Sequence, residues 1–378
     1  MKKLLIAILA MVMMLSSATA FAALEDFEVV TNAEDNKVIF DTDMLYMSDD
    51  SIALFALLQA DKAGWIDLLG VTAVGGNCLV APGTAAILNQ LELLERTDIP
   101  TYMGIDVPMM GFRDLEADAK LYGDFQWTGG YHQLENYTRD YLNLGELGKS
   151  DWGAGAGDWG IPKTRAQEMD AVDFMIESVH KYPGKVTIFA VGACTNVAAA
   201  IIKDPDFAKN AAGIVYMGGA IDVPGNASTL AEFNWWYDPD SVAVALRGDW
   251  AYQIIVPHDV APKVLMAKDV LDMYAANNNT LVTKLLVDKL TPTYTENPTV
   301  TGYCWDPITV ATFLCPDLIT QSEVRDVAME TTKGYCYGKA VSWEAGKGPY
   351  NSAECTIVFD VDRDAFWTFL ADMFGTQF

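Results

Sequence analysis

The stretch Lys37–Leu58, KVIFDTDMLYMSDDSIALFALL, constrains this chain more than any other. Four aspartates, Asp41, Asp43, Asp49 and Asp50, fall within ten positions. They lie between an apolar run, Val38-Ile39-Phe40, and an apolar segment that starts at Ile52. The pattern reads as strand, tight acidic turn and helix. The strand delivers Asp41 and Asp43 at its carboxyl end, where open α/β sheets bind ligands. Asp49 and Asp50 then start the helix, where its dipole stabilises negative charge. Carboxylates crowded in this way repel one another, and a hard cation with oxygen ligands answers that repulsion. A solvated turn with one aspartate as N-cap accounts for one or two acids, not for four placed directly after a buried strand.

The chain begins with basic Met1-Lys2-Lys3, an apolar run from Leu4 to Leu15, and small residues from Ser16 to Ala23. This reads as a secretory signal peptide over residues 1–22, cleaved after Ala22 or Ala20. The expected location is periplasmic or secreted, with residues 23–378 as the catalytic domain. The apolar run is short for a membrane anchor. A formal net charge of −26 argues against nucleic acid and anionic membrane as partners. It suits a chain that holds divalent cations.

Six cysteines show no C-x-x-C and no zinc spacing. An exported protein can form disulfides. Cys336 lies in a strand-like run, Gly334–Trp343, and Cys355 in another, Glu354–Val361. Paired as a hairpin, these would carry a Cys336–Cys355 bridge.

Beyond the acidic turn the chain alternates. Leu68–Val74 reads as a buried strand ending in Gly75-Gly76-Asn77, Pro82–Arg96 as a helix, and Pro100–Met103 as a short strand. Later strands are expected at Val186–Val191, Gly213–Met217 and Tyr252–Val256, with helices at Glu168–His180, near Pro239–Arg247 and at Ile308–Leu314. The end reads as two strands and a final helix, Arg363–Met373. Strand–helix–strand alternation predicts an α/β fold, a mostly parallel central sheet with helices on both faces. Residues 112–163 break the rhythm as an aromatic- and glycine-rich insertion, read either as a functional lid or as a surface excursion. Its run Gly153–Gly157 follows no strand and lacks the lysine of a phosphate loop.

The polar tips at strand ends are Asp41 and Asp43, Asn77, Gly192–Asn196, Asn226 with Glu232 and Asn234, and Trp305-Asp306. A parallel sheet brings its carboxyl ends to one edge, so these tips can converge. Carboxylates with amides suit the vicinal hydroxyls of a sugar, which both donate and accept.

With these motifs in order, the sequence resembles the inosine–uridine-preferring nucleoside hydrolase family from Lys37 to near the C-terminus. The family opens with Asp-x-Asp…Asp-Asp, where Asp41, Asp43, Asp49 and Asp50 stand. Val74-Gly75-Gly76-Asn77, Ala190–Asn196, Tyr216–Gly219 followed by Asn226 and Ala231–Asn234, and Trp305-Asp306-Pro307 resemble its later motifs. The resemblance implies a Rossmann-like nucleoside hydrolase fold and calcium-dependent cleavage of a ribonucleoside's N-glycosidic bond. It implies that Asp43, Asp50 and Asp306 bind Ca²⁺ by side chain and Val191 by its carbonyl. The ribose hydroxyls and a water would complete a shell of about eight oxygens. Asp49, Asn77, Asn226, Glu232 and Asn234 would hold the ribose, and Asp43 would be the general base. The implied partner is a small-molecule ribonucleoside; a homo-oligomer stays open.

Two departures bear on the substrate. Many members carry histidine where Trp305 stands. Indole offers no acid, but it can stack on a purine, which tilts the expectation to purine nucleosides and adds Trp305 to the substrate contacts; plain packing is the competing reading. The acidic turn is two residues longer than usual, with Leu45 at the usual glycine. A positive φ there would strain it. His258 and His132 are spare acids, and Trp127 and Tyr131 of the insertion are candidates to close over the base. Two rivals remain. Asp41-Thr42-Asp43 is also similar to haloacid dehalogenase-type phosphatases, which leave Glu232 and Asp306 without a role. A nucleoside- or ribose-binding protein without turnover would not need the retained aspartates.

Overall fold

The computed structural model describes residues 24–45, 47–145 and 161–378. The signal segment and the Gly153–Gly157 run lie outside the described residues. Nine strands form one sheet: β1 (Lys37–Thr42), β2 (Asp67–Ala73), β3 (Thr101–Met103), β4 (Val186–Ala190), β5 (Gly213–Met217), β6 (Gln253–Val256), β7 (Ile319–Met329), β8 (Ala340–Glu344) and β9 (Ala353–Val361). Their order is β3-β2-β1-β4-β5-β6-β9-β7-β8. The run from β3 to β9 is parallel, while β7 is antiparallel to both its neighbours. The expected α/β fold with a mostly parallel sheet is the one observed.

Strand β1 shows why. All six of its residues are buried, as in a strand covered on both faces. Val38 and Phe40 enter the core beneath the helices Asp49–Lys62, Asp306–Leu314 and Arg363–Gly375. Ile39 points to the opposite core, under Ala171–Lys181 and Thr195–Lys203. The helix Asp49–Lys62 is packed between the sheet and its neighbouring helices, and Ile52 through Leu58 are all buried. Cutting Leu54 back to alanine there costs about 2–5 kcal/mol through lost burial and the cavity left behind. Gln59 ties the helix to the far end of the chain, its Nε2 donating to the carbonyls of Met373 at 2.9 Å and Thr376 at 3.0 Å.

Strand order reverses at β1: β2 and β3 lie to one side, β4, β5 and β6 to the other. The crevice between the carboxyl ends of β1 and β4 is therefore a topological switch point, where doubly wound sheets bind ligands. The insertion adds no strand among its described residues. It contributes a helix, Leu115–Tyr122, and a 3₁₀ segment, Gly129–Asn136, that lies over the end of β2.

The C-terminal region differs from expectation. It holds three strands, not two, because β7 was not read. Its first half, Ile319-Thr-Gln-Ser-Glu, is largely exposed and polar, so the alternation that marks a half-buried strand is missing. The expected Cys336–Cys355 bridge is also absent, and both cysteines are free thiols. Strand β7 lies between β8 and β9, so the two runs never form a hairpin. Cys336 is exposed, and Cys355 is buried in β9.

Candidate active site

A cavity of about 330 Å³ opens at the switch point. Of the residues proposed from sequence, Asp49, Asn77, Val191, Asn226, Glu232, Asn234, Trp305 and Asp306 line it. Asp43 and Asp50 stand just beneath, buried.

The acids are arranged as two neighbouring sets. Asp49, Asp50 and Asp306 each present a carboxylate oxygen within 4.8 Å of the others. Asp50 is gripped by its own turn: Thr42 Oγ1 donates to Oδ1, and Ser48 Oγ to Oδ2 at 2.9 Å. Asp49 Oδ2 accepts the backbone N–H of Trp305 at 2.9 Å, which joins the first helix of the chain to the loop before Asp306. Asp43 is adjacent, with its carboxylate turned to Asn77. The Asn77 N–H donates to Oδ2 at 2.6 Å and Asn77 Nδ2 to Oδ1 at 3.3 Å. The approach is so close that a Cβ on Gly76 would lie 2.1 Å from Asp43 Oδ2.

Burial raises the pKa of every one of these acids, and mutual charge adds to it at Asp43, Asp50 and Asp306. Asp50 is pushed up to about 7 by burial and then by Asp49. Asp43 and Asp306 are driven well above the carboxylate range, first by burial and then by the charges around them. Asp49 is raised by burial. No lysine or arginine lines the cavity among the described residues. Buried oxygens, mutual repulsion and no cationic side chain to relieve it are the donor set a hard divalent cation requires. The residues present fit such an ion.

Amides and one more acid form the adjoining wall. Glu232 caps the helix Phe233–Tyr237; its Oε1 accepts from Asn234 N at 2.9 Å, and its Oε2 from Gly219 N at 2.9 Å and Trp235 N at 3.2 Å. Burial nevertheless pushes it up to about 7. Asn234 Nδ2 donates to the carbonyls of Val191 at 2.8 Å and Met217 at 3.1 Å. The Val191 carbonyl keeps a second lone pair, and Asn234 Oδ1 is left as an acceptor. Asn226 Oδ1 accepts the Phe233 N–H at 2.8 Å, so its Nδ2 is left to donate.

Asp41 is wholly buried behind the site. Its Oδ1 accepts from Thr72 Oγ1 at 2.6 Å and Asn196 Nδ2 at 2.8 Å, while Oδ2 has no partner. Burial pushes it up to about 7. It braces the ends of β1, β2 and the helix Thr195–Lys203 rather than facing the cavity. Sequence reading marked Asp41 and Asn196 as polar tips but did not see that they hold each other.

The aromatic residues divide. Trp127 lines the cavity and donates from Nε1 to Asn77 Oδ1 at 2.8 Å. Tyr131 does not line it; its ring meets Phe112 and Tyr237 edge-on. Trp305 stacks on Tyr303, with ring centroids 5.1 Å apart and planes at 21°, and donates from Nε1 to His258 Nδ1 at 2.9 Å. A His258 that accepts at Nδ1 is the neutral Nε2–H tautomer, and burial lowers its pKa. His132 is exposed, with Nε2 2.6 Å from Thr128 Oγ1, and lies off the cavity. The acidic turn avoids the strain that a positive φ at Leu45 would bring. Leu45 is not left-handed; Met47 takes that conformation, at φ 49°. Ser48 and Leu45 also line the cavity, and neither was marked from sequence.

The family described as inosine-uridine preferring nucleoside hydrolase matches residues 38–368. The chain is 30% identical, over 305 residues, to a protein named probable uridine nucleosidase 2 from Arabidopsis thaliana, covering 80% of this chain and 84% of that one. Among solved structures, a plant nucleoside hydrolase superposes with a TM-score of 0.70 at 23% identity, covering 91% of this chain and all of the other (100%). A purine-preferring ribonucleoside hydrolase from Gardnerella vaginalis gives a TM-score of 0.67 at 22% identity, covering 90% and 99%. At that identity the two structures speak to the fold.

Proposed function

This chain belongs to the inosine-uridine preferring nucleoside hydrolase family and is a ribonucleoside hydrolase, and on that premise we propose that it cleaves purine ribonucleosides to ribose and free base with Ca²⁺ as its cation. The observation that carries this reading is the mixed lining of one cavity, which joins carboxylates and amides to two indoles, Trp127 and Trp305.

Asp50 and Asp306, which cluster with Asp49, would hold the cation together with the adjacent Asp43 and the Val191 carbonyl. When bound, a divalent cation offsets the carboxylate charge and orients hydroxyl oxygens. Breaking the N-glycosidic bond builds positive charge on the ribose. Glu232 and the aspartates place negative charge where it develops. Asn234 Oδ1 accepts from a hydroxyl, Asn226 Nδ2 donates to one, and Asp49 keeps an oxygen for a third contact, which fixes the sugar's face. Asp43, whose two oxygens are aimed by Asn77, accepts the proton of the attacking water as general base. The stack of Tyr303 and Trp305 offers a flat face to a bicyclic base.

The test is incubation with inosine, adenosine, guanosine, uridine and cytidine, in calcium and in chelator, with chromatography for free base. Release from purines that depends on calcium is expected. No release from any nucleoside overturns the reading. A second reading, uridine as substrate, is favoured by the name of the Arabidopsis relative. A higher kcat/KM for uridine than for inosine selects it.

A further inference from the structure

We infer that the insertion carries a positioning clamp for Asp43, made by Trp127 acting through Asn77; the inference rests on the hydrolase reading above. Asn77 was expected to hold ribose. Its side chain is already committed at both ends, Nδ2 to Asp43 Oδ1 at 3.3 Å and Oδ1 to the Trp127 indole N–H at 2.8 Å. An indole N–H can only donate. It therefore admits one orientation of the amide, with oxygen toward Trp127 and nitrogen toward Asp43. The flipped amide would set its oxygen against a carboxylate and its NH₂ against another donor.

The surrounding backbone makes the same connection. Gly130 N donates to Gly76 O at 2.7 Å, and Leu79 N donates to Gln133 Oε1 at 2.8 Å. Gly129, at φ 52°, comes so near that a Cβ there would lie 2.4 Å from Gly76 O. The segment that aims two N–H groups at Asp43 is thus held from outside by residues 127–133. Trp127 also forms cavity wall, edge-on to Phe233 at 6.2 Å. A base resting on this indole presses on the group that orients Asn77. Filling the base end and aiming the general base at the sugar end are one event.

Trp127→Phe keeps an aromatic side chain but deletes the donor and trims the bicyclic ring to a phenyl. The clamp predicts that kcat falls about tenfold, more than any rise in KM from the smaller ring. Asn77→Ala lowers kcat at least as far, and the double variant is no worse than Asn77→Ala alone, because both changes cut one chain. Unchanged kcat in Trp127→Phe, or losses that multiply in the double variant, overturns the clamp. The second readout needs no turnover. The Trp127 Nε1–H resonance, assigned by its disappearance in Trp127→Phe, shifts in Asp43→Asn if Asn77 links the two, and stays in place if it does not. A wild-type protein that releases no base defeats the hydrolase reading, and this resonance still decides the link.

Discussion

The acids and the aromatic residues around the cavity, a sugar end and a base end in the proposed reading, are built in opposite ways. At the sugar end the acids are fixed by hydrogen bonds from strand tips and helix starts: Asp50 by Thr42 and Ser48, Glu232 by backbone N–H groups, and Asp41, behind them, by Thr72 and Asn196. At the base end the contacts come from excursions: Trp127 from the insertion, and Trp305, backed by Tyr303, from the segment before the helix Asp306–Leu314. The sheet cannot shift an acid without moving a buried strand, whereas a loop can exchange an aromatic side chain and leave the sheet untouched. Base choice can therefore change from the loops without rebuilding the acidic frame, save where Trp127 reaches Asp43 through Asn77.

Four experiments press on that separation. The largest effect is expected at the sugar end. Asp43→Asn should lower kcat by about 10²–10⁴ for every nucleoside, purine or pyrimidine alike, since it removes the general base. Steady-state kinetics on the panel checks this; a variant at wild-type rates would falsify the assignment of Asp43.

Trp305→Ala should act unevenly. Loss of a stacking face worth about 0.5–1.5 kcal/mol predicts a drop of about tenfold or less in kcat/KM for purines, and less for pyrimidines. Equal losses for both base classes would make Trp305 a packing residue and merge the two ends into one.

A third test reads the crowded acids without turnover. Asp41, Asp50 and Glu232 are raised from the ordinary carboxylate values to about 7. Without a cation the folded protein then binds more protons than the unfolded chain between about pH 4 and about pH 7, so stability is lost as pH rises through that window. In chelator, Tm should fall from about pH 5 to about pH 8; calcium should raise Tm and flatten the slope. A Tm in chelator that is flat or climbs across that range contradicts the crowding.

The smallest effect belongs away from both ends. Cys336→Ser should leave stability within about 0.5 kcal/mol, and reductant should not change Tm, because Cys336 is an exposed free thiol. A reductant-sensitive Tm would restore the abandoned bridge.

The asymmetry between the two ends also governed what could be read from residues alone. Strand β1 and its acids were legible because a strand buried on both faces must be apolar, and charge at its end then has to be functional. Asn226, Glu232, Asn234 and Asp306 were legible as polar tips that parallel strands deliver to one edge, whereas Val191 followed only from the family resemblance. The Asn77 contacts were not legible: its partner Trp127 is fifty residues away in an insertion without periodicity. The bond from Trp305 to His258 was equally hidden, since the two residues lie on different crossings of the sheet. Strand β7 escaped because its outer half is polar and exposed. The disulfide expectation failed on strand order, which pairing propensity does not encode. The long acidic turn placed its left-handed residue at Met47 and not at Leu45, a local choice that spacing alone does not determine.

The tie between Gln59 and Met373 has a consequence for how the molecule is made. The helix that bears Asp49 and Asp50 near its start is covered by the helix Arg363–Gly375. Met373 of that cover lies 314 positions after Gln59, so the acidic tip stays unassembled during translation until that distant segment has left the ribosome. A premature stop upstream of Arg363 would yield a product with a bare apolar flank rather than a smaller working enzyme, prone to stick to its neighbours before it can bind anything.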